Sequence, residues 1–227
     1  MLQHRYPELD LLRTVALSAM ILYHTAYDLA AFYGFQIDVL SGGWWLLARS
    51  TATLFLLLVG ISFVISWDRT PTDQRTRKYW QRGCLLLAVA MMVSLATLVF
   101  DASSYVRFGI LHLIATSILV LPFFMRFTFW NAPLGVLCIL IGQFIPPPHF
   151  TTIDHFSPLP WFGVILLGTA LGDLLYIRWI AWRKYCSSLF AHRLSLIALS
   201  WPSRHSLLIY LVHQPIMLLL LKLVFSL

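Results

Sequence analysis

Charge is what this sequence has least of. Asp, Glu, Lys and Arg make up 11% of its 227 residues, where a soluble domain carries about a quarter. Beside 59% apolar residues and a mean hydropathy of +0.79, that deficit excludes both a soluble globular protein and a solvated disordered one. Gly/Ser tracts, proline repeats and blocks of like charge are missing, so no linker divides the chain. No internal repeat is evident, and residues 1–227 read as one membrane domain. Cysteine is scarce as well. Cys84 and Cys138 sit in apolar runs and Cys186 in a basic segment. An odd, scattered set gives neither a disulfide framework nor a zinc site. His112, His205 and His213 have no ligand-like spacing, and His149 and His155 share one loop, so no metal is expected. The first apolar segment carries Asp10 and Arg13 and runs through His24 without an Ala-x-Ala pattern, so it is not read as a cleavable signal.

What is present is a series of apolar runs of membrane-crossing length. Seven candidate spans fall at about Leu9–Phe32, Trp44–Ser66, Tyr79–Phe100, Phe108–Met125, Phe129–Ile145, Leu159–Ile180 and Ser206–Phe225. A hydrocarbon core of about 30 Å needs roughly 20 residues of helix, so the predicted fold is all-α, a polytopic bundle of about seven transmembrane helices. Only Arg126, Phe127 and Thr128 separate the fourth and fifth spans, which predicts a tight helical hairpin. The run Ile145-Pro146-Pro147-Pro148 ends the fifth. Tyr185–Ser200 mixes His192 and Arg193 with leucines and reads as an amphipathic interfacial helix.

Loop charges predict the orientation. Arg69, Arg75, Arg77 and Lys78 lie between the second and third spans, with Arg82 just inside the third. Arg178, Arg183, Lys184, Arg193 and Arg204 cluster ahead of the last span, whereas loops 33–43 and 146–158 contain no Lys or Arg. Alternating seven spans puts every basic loop on one side, the positive-inside pattern, with the N-terminus cytoplasmic and the C-terminus outside. The net charge of +7 follows from this rule and implies no nucleic-acid partner. Trp44, Trp45 and Trp161 fall where an interfacial aromatic belt is expected.

The ionisable residues inside the spans are organised. At about 100° per residue, Asp10, Arg13, His24 and Asp28 fall on one stripe of the first helix, some 27 Å long. Each ionisable group near the bilayer centre costs on the order of 2.5–3.5 kcal/mol, so such a stripe is expected to face a protected, hydrated interior. Asp10 and Arg13 are an i,i+3 pair that serves either as a structural ion bridge or as part of a site. His24 and Asp28 have i,i+4 spacing, which lets a carboxylate orient an imidazole acting as general base. In the last span Ser206, Tyr210 and His213 share a face, and Pro215 follows beside Gln214. His112 opens the fourth span. Three helices each carrying a histidine predict a shared polar chamber.

Several of these segments resemble one family. Leu9-Asp10-Leu11-Leu12-Arg13 with Tyr23-His24-Thr25-Ala26-Tyr27-Asp28-Leu29 resembles the opening of the heparan-α-glucosaminide N-acetyltransferase-like membrane proteins. Phe108-Gly109-Ile110-Leu111-His112, Pro158-Leu159-Pro160-Trp161-Phe162-Gly163 and the run from His205 to Pro215 are similar to its later blocks, in order. The Arg13-to-His24 spacing is also similar to a signature of the membrane acyltransferase-3 family. Thr14 stands where those families usually have glycine, and the extra helices and lumenal domain of the eukaryotic members are not expected of this chain. The resemblance is closest to small bacterial members and implies a bacterial inner (cytoplasmic) membrane.

The resemblance implies transfer of an acetyl group from cytoplasmic acetyl-CoA to an amino or hydroxyl group of a periplasmic acceptor, a glycan or a small molecule. Under that reading Arg13, Asp10, Arg69, Arg75, Arg77, Lys78 and Arg82 are candidates for holding the coenzyme A phosphates and pantetheine arm. His24 and Asp28 are the candidate catalytic pair, acting by direct base catalysis or through an acetyl-histidine. Arg49, His112, Tyr210, His213, Gln214, Asp154 and Trp161 are candidates for binding the acceptor or stabilising an oxyanion. Two other classes stay open: a proton-coupled transporter using the His/Asp stripe as a relay, and a non-catalytic membrane subunit. Homo-oligomerisation also stays open.

Overall fold

Pro7 suits the first turn of a helix, where no backbone donor is needed, and Gly34, at φ 72°, takes the left-handed conformation that ends one. Between them lies α1 (Pro7–Tyr33). In this computed structural model, which describes residues 6–103, 105–146, 154–179, 182, 185–186 and 201–225, six more helices follow. They are α2 (Gly42–Asp68), α3 (Thr72–Phe100), α4 (Ile110–Phe124), α5 (Asn131–Gly142), α6 (Pro158–Gly172) and α7 (Ser206–Phe225). A 3-10 segment, Met125–Trp130, joins α4 to α5, and a π-helical turn, Asp173–Arg178, extends α6. Among the described residues there is no strand, only an isolated pairing of Phe108 with His155. The all-α expectation holds.

Six helical runs are long and apolar enough to cross a membrane, and the protein is a multi-pass membrane protein. The expected fourth span, Phe108–Met125, and fifth span, Phe129–Ile145, both overlap a single one of these runs, Ile110–Gly142. The tight hairpin expected there is corrected. The chain does turn at the 3-10 segment, but α4 packs along α3 and α5 along α6 rather than on one another. Small residues, Gly135 and Gly163, give α5 and α6 their close approach. α3 also starts at Thr72 rather than Tyr79, because the helix continues through polar residues that a hydropathy window omits. Most of Tyr185–Ser200, together with Arg183, Lys184 and His149, lies outside the described residues.

The chain forms two compact units whose boundary lies within α2: Met1–Phe55 with Arg183–Leu227, and Leu56–Trp182. In the first, α1 and α7 run parallel. Arg13 lies level with Ser203, His24 with His213, and Tyr33 with Phe225. In the second, glycines replace side chains where backbones meet. Gly135 and Gly163 face each other across α5 and α6, while Gly60 and Gly168 bring α2 onto α6. Without a hydrophobic driving force between helices in lipid, such contacts supply the packing energy. Asn131, fully buried, donates to Thr169 Oγ1 at 2.9 Å and adds a polar tie between α5 and α6.

Candidate active site

The polar stripe of α1 faces α7 and the turn before it. At one end Asp10, buried, accepts from Ser203 Oγ at 2.7 Å and from Arg13 Nη1 at 3.1 Å. Arg13 Nη1 also donates to Ser203 Oγ at 3.2 Å. Asp10 and Arg13 form an ion pair within α1, and the Ser203 hydroxyl ties that pair to the segment leading into α7. Ser203 was not singled out from the sequence, since a lone serine beside Pro202 carries no signal there.

Eleven residues on, His24 and His213 meet edge to face with ring centroids 5.0 Å apart. His24 Nδ1 lies 2.9 Å from the Met20 carbonyl, and His213 Nδ1 lies 2.6 Å from the Tyr210 carbonyl. A carbonyl only accepts, so each Nδ1 carries the proton, and in the neutral ring each Nε2 keeps its lone pair. His24 is half-buried and His213 is buried. The expectation that Asp28 orients His24 needs correction in its geometry. Side chains on a helix tilt toward its N-terminus, so His24 reaches back to Met20 and the backbone fixes its tautomer. Asp28, fully buried, instead accepts from Gln214 Nε2 at 2.8 and 3.0 Å, one distance to each carboxylate oxygen. Asp28 remains within electrostatic reach of His24. Tyr210 stands beside His213, with ring centroids 5.6 Å apart.

Arg49 is exposed, lies over the Trp45 ring at 5.8 Å and is close enough to Tyr23 to interact electrostatically. In the second unit, His112 is buried with both ring nitrogens engaged. The Gly109 N–H donates to Nδ1 at 3.3 Å, and Nε2 lies 3.3 Å from Ser94 Oγ. Asp154 Oδ2 accepts from the Ile110 N–H at 3.1 Å, placing a carboxylate at the N-terminus of α4. Trp161 packs on Phe156 at 5.2 Å. Of the basic residues around the α2–α3 corner, two hold the corner itself. Arg75 Nε donates to the Thr70 carbonyl at 2.9 Å and Lys78 Nζ to Thr70 Oγ1 at 2.8 Å. Arg69, Arg77 and Arg82 are exposed. Cys186 is buried, and burial together with the nearby Glu8 pushes its thiol above the ordinary range, which disfavours the thiolate a nucleophile needs.

The family model described as heparan-alpha-glucosaminide N-acetyltransferase, catalytic, matches residues 5–215. The chain belongs to this family. Membership makes it a membrane transferase. The matched residues include the whole α1 stripe and His213 and Gln214. No curated protein and no solved structure matches the chain.

Proposed function

We propose that this family member transfers an acetyl group from cytoplasmic acetyl-CoA to an amine or hydroxyl of a periplasmic, sugar-containing acceptor, using His24 beside His213. The observation that carries this reading is the imidazole pair at the α1–α7 contact. Each ring is fixed by a backbone carbonyl so that its Nε2 holds a lone pair. One such nitrogen is a general base, and the same atom is a nucleophile toward a thioester. In direct transfer, His24 Nε2 takes the proton of the acceptor as the new bond to the acetyl carbon forms. The carbon–sulfur bond breaks, and the departing thiolate recovers the proton. In the two-step route the imidazole nitrogen carries the acetyl group first.

The proposed setting is a bacterial inner membrane crossed seven times, with the N-terminus cytoplasmic and the C-terminus periplasmic. Lys/Arg-rich 69–82 and Lys/Arg-free 33–43 support that orientation. The exposed Arg69, Arg77 and Arg82 are then placed to attract the coenzyme A phosphates. Arg75 and Lys78 contribute less, being held in the corner. Arg13, tied to Asp10 and Ser203, holds α1 to the segment before α7 at the proposed cytoplasmic mouth.

Detergent-purified protein with radiolabelled acetyl-CoA tests this directly. Wild type is expected to bind the donor and release its label to water or a small acceptor. His24→Ala should lower that rate by about 10²-fold or more, the usual contribution of a general base. A folded wild type that binds no acetyl-CoA up to millimolar concentration would overturn the reading and direct attention to transport.

A further inference from the structure

The basic corner between α2 and α3 carries Arg69, Arg75, Arg77, Lys78 and Arg82, with one lysine among four arginines. A guanidinium stays charged and offers no lone pair, whereas a lysine that gives up a proton becomes a nucleophile. Lys78 forms no ion pair among the described residues, although Asp68 and Asp73 belong to the same corner. Its Nζ instead lies 2.8 Å from Thr70 Oγ1 and 3.2 Å from Ser66 Oγ. Thr70 Oγ1 gives its own hydrogen to the Ser66 carbonyl at 2.6 Å, so toward Lys78 it only accepts. Ser66 Oγ accepts the Tyr79 hydroxyl at 2.9 Å as well. Arg82, one turn further along α3, acts on Lys78 electrostatically, and a like charge disfavours the ammonium form. In the neutral amine, two N–H bonds are committed to Thr70 and Ser66, and the lone pair is not. Lys78 is exposed, so a solute reaches it.

We propose that Lys78 is a self-acetylation site, modified directly by an acetyl thioester. The thioester is the acetyl-CoA of the acyl-transfer reading above, on which this step rests for its donor. The Nζ lone pair attacks the thioester carbonyl, the nitrogen–carbon bond forms and the carbon–sulfur bond breaks. The proton lost from the nitrogen goes to the departing thiolate. The product is a neutral amide with a single N–H. It keeps one of the two hydroxyl contacts at most, and the corner loses one positive charge.

The test follows acetylation of Lys78 by mass spectrometry in the full-length protein in detergent, with Nα-acetyl-lysine amide in the same tube as a free lysine. Acetyl-CoA is one donor, and S-acetyl-N-acetylcysteamine, a thioester without phosphates, is the other. With the small thioester, Lys78 is expected to react about fivefold or more faster than the free lysine, as for an amine beside a second cation. Arg82→Gln should slow it by about two- to threefold, the effect of removing a like charge one helical turn away. His24→Ala should carry the Lys78 label at the wild-type rate. A Lys78 that reacts no faster than the free lysine overturns the proposal. So does loss of the label in His24→Ala, which would make Lys78 a recipient of acetyl carried by His24. If wild type releases acetyl in a His24-dependent manner while Lys78 stays unmodified, this inference falls and the acyl-transfer reading stands. If Lys78 is labelled at the expected rate and His24→Ala changes no acetyl release, the modification stands and the acyl-transfer reading falls.

Discussion

His24 and His213 share one hydrogen-bond inventory, Nδ1 on a backbone carbonyl, and His112 carries another. His112 receives a backbone N–H at Nδ1, so its Nε2 carries the proton and donates to Ser94 Oγ, which passes its own hydrogen to the Val106 carbonyl at 2.6 Å. Nothing on that ring is left for chemistry, which is the signature of a side chain that holds α3 and α4 together. His24 has its Nδ1 on a backbone carbonyl, which in the neutral ring leaves the lone pair of Nε2 for the role proposed above. His112→Ala is therefore expected to cost about 2–4 kcal/mol of stability, the sum of a buried cavity and an orphaned serine. His24→Ala, at a half-buried position, should leave the melting temperature within a few degrees while activity falls by about 10²-fold or more. Thermal unfolding in detergent, measured beside acetyl transfer on the same preparations, checks both. The reverse pattern would exchange the roles assigned to the two residues.

At the scale of elements, the packing of α2 on α6 rests on missing side chains. A Cβ at Gly60 would collide with the Ile165 carbonyl and the Thr169 amide, both main-chain atoms that cannot turn aside. Gly60→Ala should cost roughly 2 kcal/mol or more through forced separation of the helices. Gly43→Ala, in the same helix with nothing within 4 Å of its would-be Cβ, should be neutral or gain up to about 1 kcal/mol of helix propensity. Melting temperatures of the two variants decide it, and equal losses would sink the argument. The elements themselves were legible in the sequence, since each expected span became helix and Ser206–Phe225 has the expected bounds. The face of α1 was legible too, because Asp10, Arg13, His24 and Asp28 share it by helical period alone. The partner of Asp28 was not. Local spacing offered His24, whereas the residue that takes both oxygens is Gln214, 186 positions away. Helix pairing escaped for the same reason. A three-residue separation between spans fixes a turn, but glycine contacts between distant helices decide what each one packs against.

For the whole molecule, helix directions constrain how often the chain crosses. α3 and α4 are antiparallel, with Gly83 against Leu119 and Ser94 against His112. α5 and α6 are antiparallel as well, Asn131 meeting Thr169 and Gly142 meeting Pro160. α2 and α6 run in the same sense, since Leu57 meets Gly168 and Ile61 meets Gly172. Two parallel crossings must be separated by an odd number of others, which α3, α4 and α5 supply only if α4 and α5 each cross. α5 is about 18 Å long at 1.5 Å per residue, so this requires local thinning of the bilayer or help from the flanking residues. The parallel run of α1 and α7 fits the same parity when the whole chain crosses seven times. Single-cysteine labelling with an impermeant maleimide tests this on a Cys84→Ala, Cys138→Ala, Cys186→Ala background. Gln36→Cys is expected to react in intact cells, from the periplasmic side. Arg77→Cys and Arg126→Cys are expected to react only after the inner membrane is opened, because the 3-10 corner then lies on the cytoplasmic side with the basic loop. Should Arg126→Cys resist labelling from both sides while Arg77→Cys reacts from within, Ile110–Gly142 is one bent crossing, and the parity drawn from the glycine contacts fails with it.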